Sequence, residues 1–368
     1  MKVALLGNAS SVHMRRWAEN IGARGVDVAV FSPVEPGWDS HWVGMPLQWP
    51  SIPGIGLGTW RAGRWLAKQC RERGVDIVHA HYAGGMAHAA HSSGVHPFVI
   101  TVWGSDVLRL AEAKPRSVAR TREALGAADL VTCGSLHLRS AAVAAGARSE
   151  TCRLVGWGVD TTDFAPDARA RERVRRELGI TPGSTVVLST RHLSPLYRVA
   201  SIIEAFSVAA VRRPDLELVV LDDGPDRAEL EALAQLCCGA KRVRFVGHVE
   251  RMPEVLAAGD IVVSVPLSDG APMSLMEAMA VGLPVVGSEL APYREWIEPG
   301  RTGALWSGDD IETLADAIVS VAHNAAEQGA AGQREVRSRA ERSEQFDRVV
   351  ALYSALVAGA PLPADPAL

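Results

Sequence analysis

The sequence predicts an α/β protein with two parallel-sheet domains. Short apolar runs alternate along the chain with longer segments of helical periodicity, a pattern typical of βαβ units. The 368 residues are enough for two separate cores. A stretch rich in Gly, Asp and Thr, VGWGVDTTDFAP, divides the runs into two sets and is a natural crossing between domains. Sheets of this kind bind ligands at the carboxyl ends of their strands.

The predicted strands are the short apolar runs. In the first half they are KVALL, VDVAVF, DIVHA, FVITV, DLVTC and CRLV, and in the second half TVVLST, LELVVL, VRFV, DIVVSV and PVVGS. ARARERVRRELGI follows the crossing and is predicted to be a helix with a solvated basic face. SEQFDRVVALYSALVAG has apolar residues at helical spacing, whereas the composition of PLPADPAL predicts disorder.

Composition excludes several classes of protein. The net charge is -4, with a mildly basic first half and an acidic second half, so nucleic acid is not an expected partner. The five cysteines form no C-x-x-C pair and indicate buried thiols in a reducing cytosol. With no signal peptide and no apolar run of membrane-spanning length, we expect a cytoplasmic protein. Contact with a membrane surface and the oligomeric state stay open.

The first loop, GNASSVHMRRW, joins the opening strand to its helix. It is not G-x-G-x-x-G, which disfavours an NAD-dependent oxidoreductase. Ser10 or Ser11 can cap the helix and leave amide groups at the sheet edge. A simple capped helix start and an anion or sugar site are both consistent with this loop.

Two carboxylates stand out in SDGAPMSLMEAMAVGLPVVGSE, which begins at Ser268. Pro272 suits the first turn of a helix that continues to Gly282 and is apolar nearly all round. A buried Glu277 on that helix needs a bonding partner. Asp269 precedes the helix start, where amides and the dipole favour negative charge. Either Glu277 faces solvent and Asp269 only caps, or a hydroxyl-rich ligand meets them and an anionic group meets the amides at 271–274.

This stretch resembles the nucleotide-sugar signature of the family 4 retaining glycosyltransferases, in which two acidic residues are separated by seven others. Five further segments resemble motifs of that family, in the same order along nearly the whole chain. They are VITVWGSD (T-V-H-G-S-D), VGWGVDTTDF (N-G-V-D-x-x-x-F), TRHLSPLYRVASIIEAF (the phosphate-facing loop), DDGPDRAELEALA (G-D-G-P) and VRFVGHVERMPEVLAAGDIVVSVPLSDG (the strand and loop that lead into the signature).

The resemblance implies the GT-B fold, with two Rossmann-like domains facing a cleft. It implies an acceptor-binding domain over 1–160, a nucleotide-sugar domain over 161–344, a helix over 345–360 that packs back on the first domain, and a disordered tail over 361–368. The implied reaction moves a sugar, with retention, from a nucleoside diphosphate-sugar to a hydroxyl on a small molecule or glycan. A GT-B sugar-nucleotide epimerase and a catalytically lapsed partner of another glycosyltransferase are the alternatives.

For the donor, the resemblance implies that Glu277 holds the ribose hydroxyls and that Asp269 stabilises positive charge at the anomeric carbon. The implied donor-binding residues are Arg191, His192, Arg198, Gly224, His248, Asp269, Gly270, Ala271, Pro272, Met273, Ser274 and Glu277. No metal or other cofactor is implied. A zinc site at His79, His81, His88 and His91 is a weaker interpretation than a histidine-rich loop.

The chain departs from the family pattern at several of these positions. Asp269 replaces the usual first Glu, and Asp222 stands where glycine is usual. His192 and Tyr197 occupy the places of the usual Arg and Lys of the phosphate loop. The neighbouring arginines, Arg198 above all and then Arg191, are therefore expected to hold the diphosphate.

For the acceptor, Trp103 occupies the place of the histidine in T-V-H-G-S-D. His81 is the candidate to substitute for it as a catalytic residue beside Asp269, because His79 and His81 point to the same side of a strand end. The implied acceptor-binding residues are Gly7, Asn8, Ser11, Trp103 and Asp106. A Pro- and Gly-rich stretch also holds a candidate aromatic platform for the acceptor. Its members are Trp38, Trp42, Trp49, Trp60 and Trp65.

Overall fold

In the computed structural model the chain divides into two compact units. The first comprises Met1–Trp157 and Ser343–Leu368, and the second comprises Gly158–Arg342. The structure describes residues 1–46, 57–238, 242–308 and 310–365. Within these ranges each unit is built around one fully parallel sheet.

The first unit has a seven-stranded sheet within the described residues, in the order β3-β2-β1-β4-β5-β6-β7. Its strands are β1 (Lys2–Leu6), β2 (Asp27–Ser32), β3 (His41–Gly44), β4 (Ile77–His81), β5 (Phe98–Val102), β6 (Leu130–Cys133) and β7 (Cys152–Leu154). Its first helices are α1 (Val12–Gly22), α2 (Leu57–Arg73), α3 (Gly85–Ser93), α4 (Ser105–Leu108), α5 (Pro115–Ala127) and α6 (Leu136–Ala144).

The second unit has a six-stranded sheet within the described residues, in the order β10-β9-β8-β11-β12-β13. Its strands are β8 (Thr185–Ser189), β9 (Leu216–Leu221), β10 (Val243–Gly247), β11 (Ile261–Ser264), β12 (Val285–Ser288) and β13 (Gly303–Trp306). Its helices are α7 (Ala168–Glu177), α8 (Val199–Arg212), α9 (Arg227–Cys238), α10 (Met252–Ala258), α11 (Met273–Val281), α12 (Ala291–Arg294), α13 (Ile311–His323) and α14 (Ala325–Arg339).

Both faces of the second sheet are buried. Along β8, Val187 belongs to one core cluster, whereas Val186 and Leu188 belong to the cluster on the opposite face. A strand that is covered on both faces is apolar at every position, and this explains why TVVLST reads as one continuous apolar run.

The predicted strands are confirmed, but the sequence analysis missed β3 and β13. β3 is a four-residue edge strand, HWVG, that no continuous apolar run marks. β13 is equally short and begins at Gly303. A Cβ at Gly303 would lie 2.0 Å from the backbone oxygen of Val285, so this tight pairing requires glycine.

The last helix, α15 (Arg342–Ala358), contributes buried side chains to the first unit. The Tyr353 hydroxyl lies 2.5 Å from His79 Nδ1 at the end of β4, and both residues are fully buried. This contact joins the end of the chain to the first sheet. None of the described helices is long and apolar enough to cross a membrane.

Residues 361–365, for which the composition predicts disorder, lie against the first unit. The Asp365 carboxylate accepts hydrogen bonds from Arg139 (3.1 Å), from the Leu154 amide (2.9 Å) and from Arg348. Arg153 Nε donates to the Pro363 carbonyl at 2.7 Å. Three arginines therefore fix a segment that has no regular secondary structure.

Candidate active site

Helix α11 carries Glu277, and the loop that leads into the helix carries Asp269. The helix ends where the sequence predicts, at Gly282 in the left-handed region (φ 92°), and begins at Met273 after Pro272. No side chain of the described residues caps its amino end. The Met273 amide donates to the Ala271 carbonyl at 2.9 Å, and the Leu275 and Met276 amides donate to the Pro272 carbonyl at 3.1 Å, so the Ser274 amide is the best placed of the four to meet an anion. The buried side chains of the helix form the expected core face. They are Leu275, Met276, Ala278, Met279, Ala280 and Val281.

Arg191 brings a fixed positive charge to the amino end of α11. It leaves β8 at its carboxyl end, and its Nη1 donates to Asp269 Oδ2 and to Ser274 Oγ, both at 3.0 Å. The side chains of Arg191 and Asp269 are only 14% and 12% exposed. The Arg191 guanidinium also lies over the Tyr197 ring, 4.4 Å from its centroid. A mostly buried ion pair thus joins two residues that the sequence predicts in the donor site.

Tyr293 is a second partner of Asp269, and sequence reasoning missed it. Its hydroxyl lies 3.4 Å from Asp269 Oδ2 and 3.0 Å from Ser264 Oγ. Burial raises the pKa of Tyr293, so the phenol stays protonated and can donate to the carboxylate. The only sequence signal was a tyrosine shortly after β12, which is too weak to assign to the site.

Glu277 is half-buried, unlike the apolar residues on either side of it. It lies three positions after Ser274 and four after Met273, so the three residues share one face of α11. These are also the residues of the helix that keep some exposure. Because Ser274 contacts Arg191, this face continues from the Arg191–Asp269 ion pair toward Glu277.

Arg198, which is predicted to hold the diphosphate, is engaged by the protein itself. Its Nε donates to the Val265 carbonyl at 2.7 Å, and its guanidinium stacks on Trp306, 4.6 Å from the ring centroid. Nη2 donates to Ser288 Oγ at 3.1 Å. These partners lie at the ends of β11, β12 and β13, where strand pairing leaves carbonyl groups without partners. Arg198 therefore holds the segment that leads to Asp269, whereas we expected it to grip a diphosphate.

The ends of β8, β9 and β10 bring His192, Asp222 and His248 together. The histidine Nδ1 atoms lie 3.6 and 3.7 Å from the two oxygens of Asp222, which has a left-handed backbone (φ 68°). Gly224 allows the neighbouring loops to touch, because a Cβ there would lie 2.2 Å from the Leu193 carbonyl oxygen. Gly224 thus positions these loops.

In the first unit, the loop Gly7–Ser11 follows β1. Ser11 Oγ caps α1 by accepting a hydrogen bond from the His13 amide at 3.2 Å. Asn8 Oδ1 accepts from Ser10 Oγ at 2.8 Å. A Cβ at Gly7 would lie 2.6 Å from Met14 Sδ. The loop is therefore a capped helix start, as one of the two interpretations expects, and its contacts alone do not point to a ligand.

Asp106, predicted to bind acceptor, is engaged by the protein itself. It is buried, and its carboxylate accepts hydrogen bonds from the amides of Ala83 (2.8 Å), Gly104 (2.8 Å) and Trp103 (3.1 Å). Burial raises the pKa of Asp106, and these amide bonds oppose the rise. The carboxylate therefore fixes the loops after β4 and β5.

His81 and Trp103 lie instead in a group that we call the aromatic cluster, which consists of His13, Trp17, His81, Trp103 and Trp157. The Trp17 and His81 rings are 4.8 Å apart between centroids, and Trp103 and Trp157 are 4.9 Å apart. His13 lies 4.6 Å from Trp157 and 5.5 Å from Trp103. His79 and His81 point to the same side of β4, as predicted, with centroids 4.4 Å apart.

The described tryptophans of the predicted platform each have contacts of their own. The indole N–H groups of Trp38 and Trp42 donate to the backbone carbonyls of Ala9 (2.9 Å) and Ser32 (3.1 Å), and so hold loops. Trp65 packs on Phe31. Trp60 is 51% exposed on α2, under the guanidinium of Arg64. Trp49 lies outside the described residues.

Two histidines of the candidate zinc site are hydrogen-bonded to threonine hydroxyls. His79 Nε2 lies 2.6 Å from Thr101 Oγ1, and His88 Nε2 lies 3.0 Å from Thr121 Oγ1. Within the described part of the chain, no three His, Cys, Asp or Glu side chains are arranged to hold a metal ion.

Comparison with known proteins decides the family. The model of "Glycosyl transferases group 1" matches residues 170–339, and that of "Glycosyl transferase 4-like" matches residues 2–135. The chain belongs to the glycosyl transferases group 1 family. This glycosyltransferase therefore carries its donor signature within the matched second segment.

Curated relatives of this glycosyltransferase have several activities. N-acetyl-alpha-D-glucosaminyl L-malate synthase of Bacillus anthracis is 25% identical over 79% of the chain and 76% of its own length. D-inositol 3-phosphate glycosyltransferase of Corynebacterium jeikeium is 28% identical over 84% and 82%. The GDP-mannose-dependent alpha-(1-6)-phosphatidylinositol monomannoside mannosyltransferase of Mycolicibacterium smegmatis is 30% identical over 59% of the chain, and the match spans only 60% of that relative.

Solved structures confirm the GT-B fold. Anabaena HepE, crystallised with UDP, has a TM-score of 0.84 at 18% identity, covering 97% of this chain and 100% of that one. Sucrose-phosphate synthase from Thermosynechococcus elongatus has a TM-score of 0.82 at 18% identity, covering 98% and 100%.

Proposed function

We propose that this glycosyltransferase moves a sugar from a nucleoside diphosphate-sugar to an acceptor hydroxyl with retention of the anomeric configuration. One observation carries the proposal. The Arg191–Asp269 ion pair lies at the amino end of α11, and Glu277 follows on the same helix face. The second unit takes the donor and the first unit takes the acceptor.

The charge requirement of the donor fits these residues. A diphosphate carries at least two negative charges, and a helix amino end supplies only about half a positive charge. Arg191, which is paired with Asp269 until a donor binds, brings one fixed charge next to Ser274. Glu277, further along the helix, then accepts hydrogen bonds from the ribose hydroxyls.

The chemistry follows from where charge develops. The bond between the anomeric carbon and the diphosphate oxygen breaks, and its electron pair leaves with the diphosphate. A bond to the acceptor oxygen forms on the same face of the sugar, and the proton of the acceptor hydroxyl passes to the departing diphosphate oxygen. Negative charge grows on the diphosphate, opposite Arg191 and the α11 amides. Positive charge grows on the sugar, opposite Asp269. Both are stabilised by groups that are already in place, the arrangement that lowers a barrier most effectively.

Metal independence and a cytoplasmic location are parts of the same proposal. Arg191 and the helix amides supply the positive charge that a metal ion would otherwise bring to the leaving group. All five cysteines lie among the described residues and are free thiols, which suits a reducing compartment.

The donor is also proposed by analogy with relatives. HepE was solved with UDP-glucose, and a mannosyltransferase relative is named for GDP-mannose. The nucleotide is therefore drawn from uridine and guanosine diphosphates, and the panel that tests it must contain both.

The test is release of free nucleoside diphosphate from UDP- and GDP-sugars, measured with and without acceptors. Malate, inositol phosphates and neutral sugars form the acceptor panel, with a chelator present in a parallel series. We expect release that requires an acceptor and survives the chelator. Conversion of the donor sugar without acceptor would indicate an epimerase. No release from any donor, together with weak donor binding, would indicate a lapsed partner protein.

A further inference from the structure

The aromatic cluster contains five buried nitrogen atoms without hydrogen-bond partners among the residues that the structure describes. They are His13 Nδ1, Trp17 Nε1, His81 Nδ1, His81 Nε2 and Trp103 Nε1. Buried polar groups are bonded in roughly nine cases of ten. Five exceptions in one contact group therefore require an explanation.

The lack of hydrogen-bond partners does not extend to the neighbouring buried histidine, His79. It lies two residues before His81 on the same strand, and both of its ring nitrogens are bonded, to Tyr353 and Thr101. His81 is only 2% exposed, yet neither of its nitrogens is bonded. The five nitrogen atoms without partners belong to residues at or after the carboxyl ends of β1, β4 and β5. Ligands of doubly wound sheets bind at this edge.

The cluster is uncharged at neutral pH. Burial, and then the nearby His13, lower the pKa of His81 to about 3. Burial, and then Arg16, lower the pKa of His13 to about 4. The carboxylate of Asp106, which accepts from the Trp103 amide, is held by three backbone amides in all. Each neutral imidazole offers one donor and one acceptor nitrogen, and each indole offers one donor.

We propose that the aromatic cluster binds an uncharged, hydroxyl-bearing ring of the acceptor, such as a sugar or polyol, and excludes carboxylate and phosphate groups. This rests on the proposed function, in which the first unit takes the acceptor. Hydroxyl groups donate to imidazole nitrogens and accept from indole N–H groups, and the apolar faces of such rings pack on indoles. A buried anion would meet no cation in the cluster and would lose its hydration.

Two relatives are named for anionic compounds, malate and inositol 3-phosphate, which the aromatic cluster would exclude. An anionic acceptor of this protein would have to place its charged group away from His81, with only its hydroxyl-bearing part in the cluster.

The test is NMR of protein with 15N-labelled tryptophan indoles. Trp103→Phe and Trp17→Phe identify the two signals, and Trp60→Phe, at an exposed indole, is the matched control. Myo-inositol and methyl α-mannopyranoside are titrated against L-malate and inorganic phosphate, with a nucleoside diphosphate present. We expect saturable shifts of the Trp17 and Trp103 signals with at least one neutral probe, at least tenfold weaker binding in Trp103→Phe, and no such shifts with the anions.

Two outcomes would overturn the inference, and both are read on the wild-type protein. One is that malate or phosphate shifts the two signals as strongly as the neutral probes do. The other is that no probe shifts them. Neither outcome affects the proposed function, which is judged separately by acceptor-dependent release of nucleoside diphosphate.

Discussion

Nη1 of Arg191 lies 3.0 Å from Oδ2 of Asp269, and both side chains are about seven-eighths buried. The first residue is the proposed cation for the leaving diphosphate, and the second is the proposed anion opposite the sugar. Each is thus held in position by the other before any donor arrives, and each depends on the other for neutralisation.

This pairing predicts energetic coupling between the two residues. Arg191→Ala leaves a mostly buried carboxylate without its cation and should lower the free energy of unfolding by about 2–3 kcal/mol. Asp269→Ala should have a similar effect, and the double variant should be less destabilised than the sum. Urea denaturation of the four proteins should give a coupling energy of about 1–3 kcal/mol. Additive effects would mean that the pair is not formed in solution.

Glu277→Gln tests the nucleotide end of the site. The amide is isosteric, so the fold should be preserved, while the loss of charged hydrogen bonds worth about 1.5–3 kcal/mol should weaken nucleoside diphosphate binding at least tenfold. Isothermal titration calorimetry measures this directly. The control is Glu335→Gln on α14, whose carboxylate pairs with Arg301. Unchanged affinity in Glu277→Gln would return Glu277 to a structural role.

Two substitutions of Arg198 distinguish whether the residue positions the neighbouring strands or supplies charge to the donor. Because its guanidinium bonds the Val265 carbonyl and stacks on Trp306, lysine should replace it poorly. We expect Arg198→Lys and Arg198→Ala to lose similar stability, about 1–3 kcal/mol, and to lower turnover more than donor affinity. If Arg198→Lys keeps wild-type kinetics while Arg198→Ala loses donor affinity, charge is what matters and the sequence-based prediction was the better one.

The buried histidines predict loss of stability in acid. Burial lowers the pKa of His81 to about 3 and that of His88 to about 4, from 6.5. In this range the unfolded chain binds these protons more readily than the folded one. Their contribution to stability is therefore complete above pH 6.5 and is lost as the pH falls toward 4.

The size of this effect can be measured at one position. His81 alone contributes at most about 2 kcal/mol between about pH 6.5 and 5. Urea denaturation across this range should show a shallower pH dependence in His81→Gln than in the wild type, whereas the exposed His323 provides a control substitution, His323→Gln. Equal slopes in all three proteins would contradict a neutral, buried His81.

Features of the fold that depend on neighbouring residues could be predicted from the sequence, whereas features that depend on residues distant in the sequence could not. The apolar runs and Gly282 are local signals, so the strands they predict and the end of α11 are found in the structure. The four-residue strands β3 and β13 depend on pairing with distant residues. The contacts of Arg198 and Tyr293 could not be predicted because their partners, Val265 and Ser264, meet them only in the folded sheet.

The aromatic side chains show the same limit. A local concentration of tryptophans drew attention to Trp38 and Trp42, which bond nearby backbone carbonyls. Trp17, Trp103 and Trp157 are far apart in the sequence and meet only because β1, β5 and β7 end at the same edge of the sheet. Local density is therefore a poor guide to an aromatic binding site.

The central claim is that the Asp269 carboxylate supports retaining transfer at this site. Its most direct test is time-resolved proton NMR of the anomeric signal during turnover by the wild type, by Asp269→Asn and by the control Asp223→Asn, whose carboxylate pairs with Arg227. The account predicts a product with the anomeric configuration of the donor. It also predicts a loss of about 100-fold or more in the turnover of Asp269→Asn, with donor affinity nearly unchanged and Asp223→Asn close to wild type. An inverted product, or full turnover by Asp269→Asn, would contradict it.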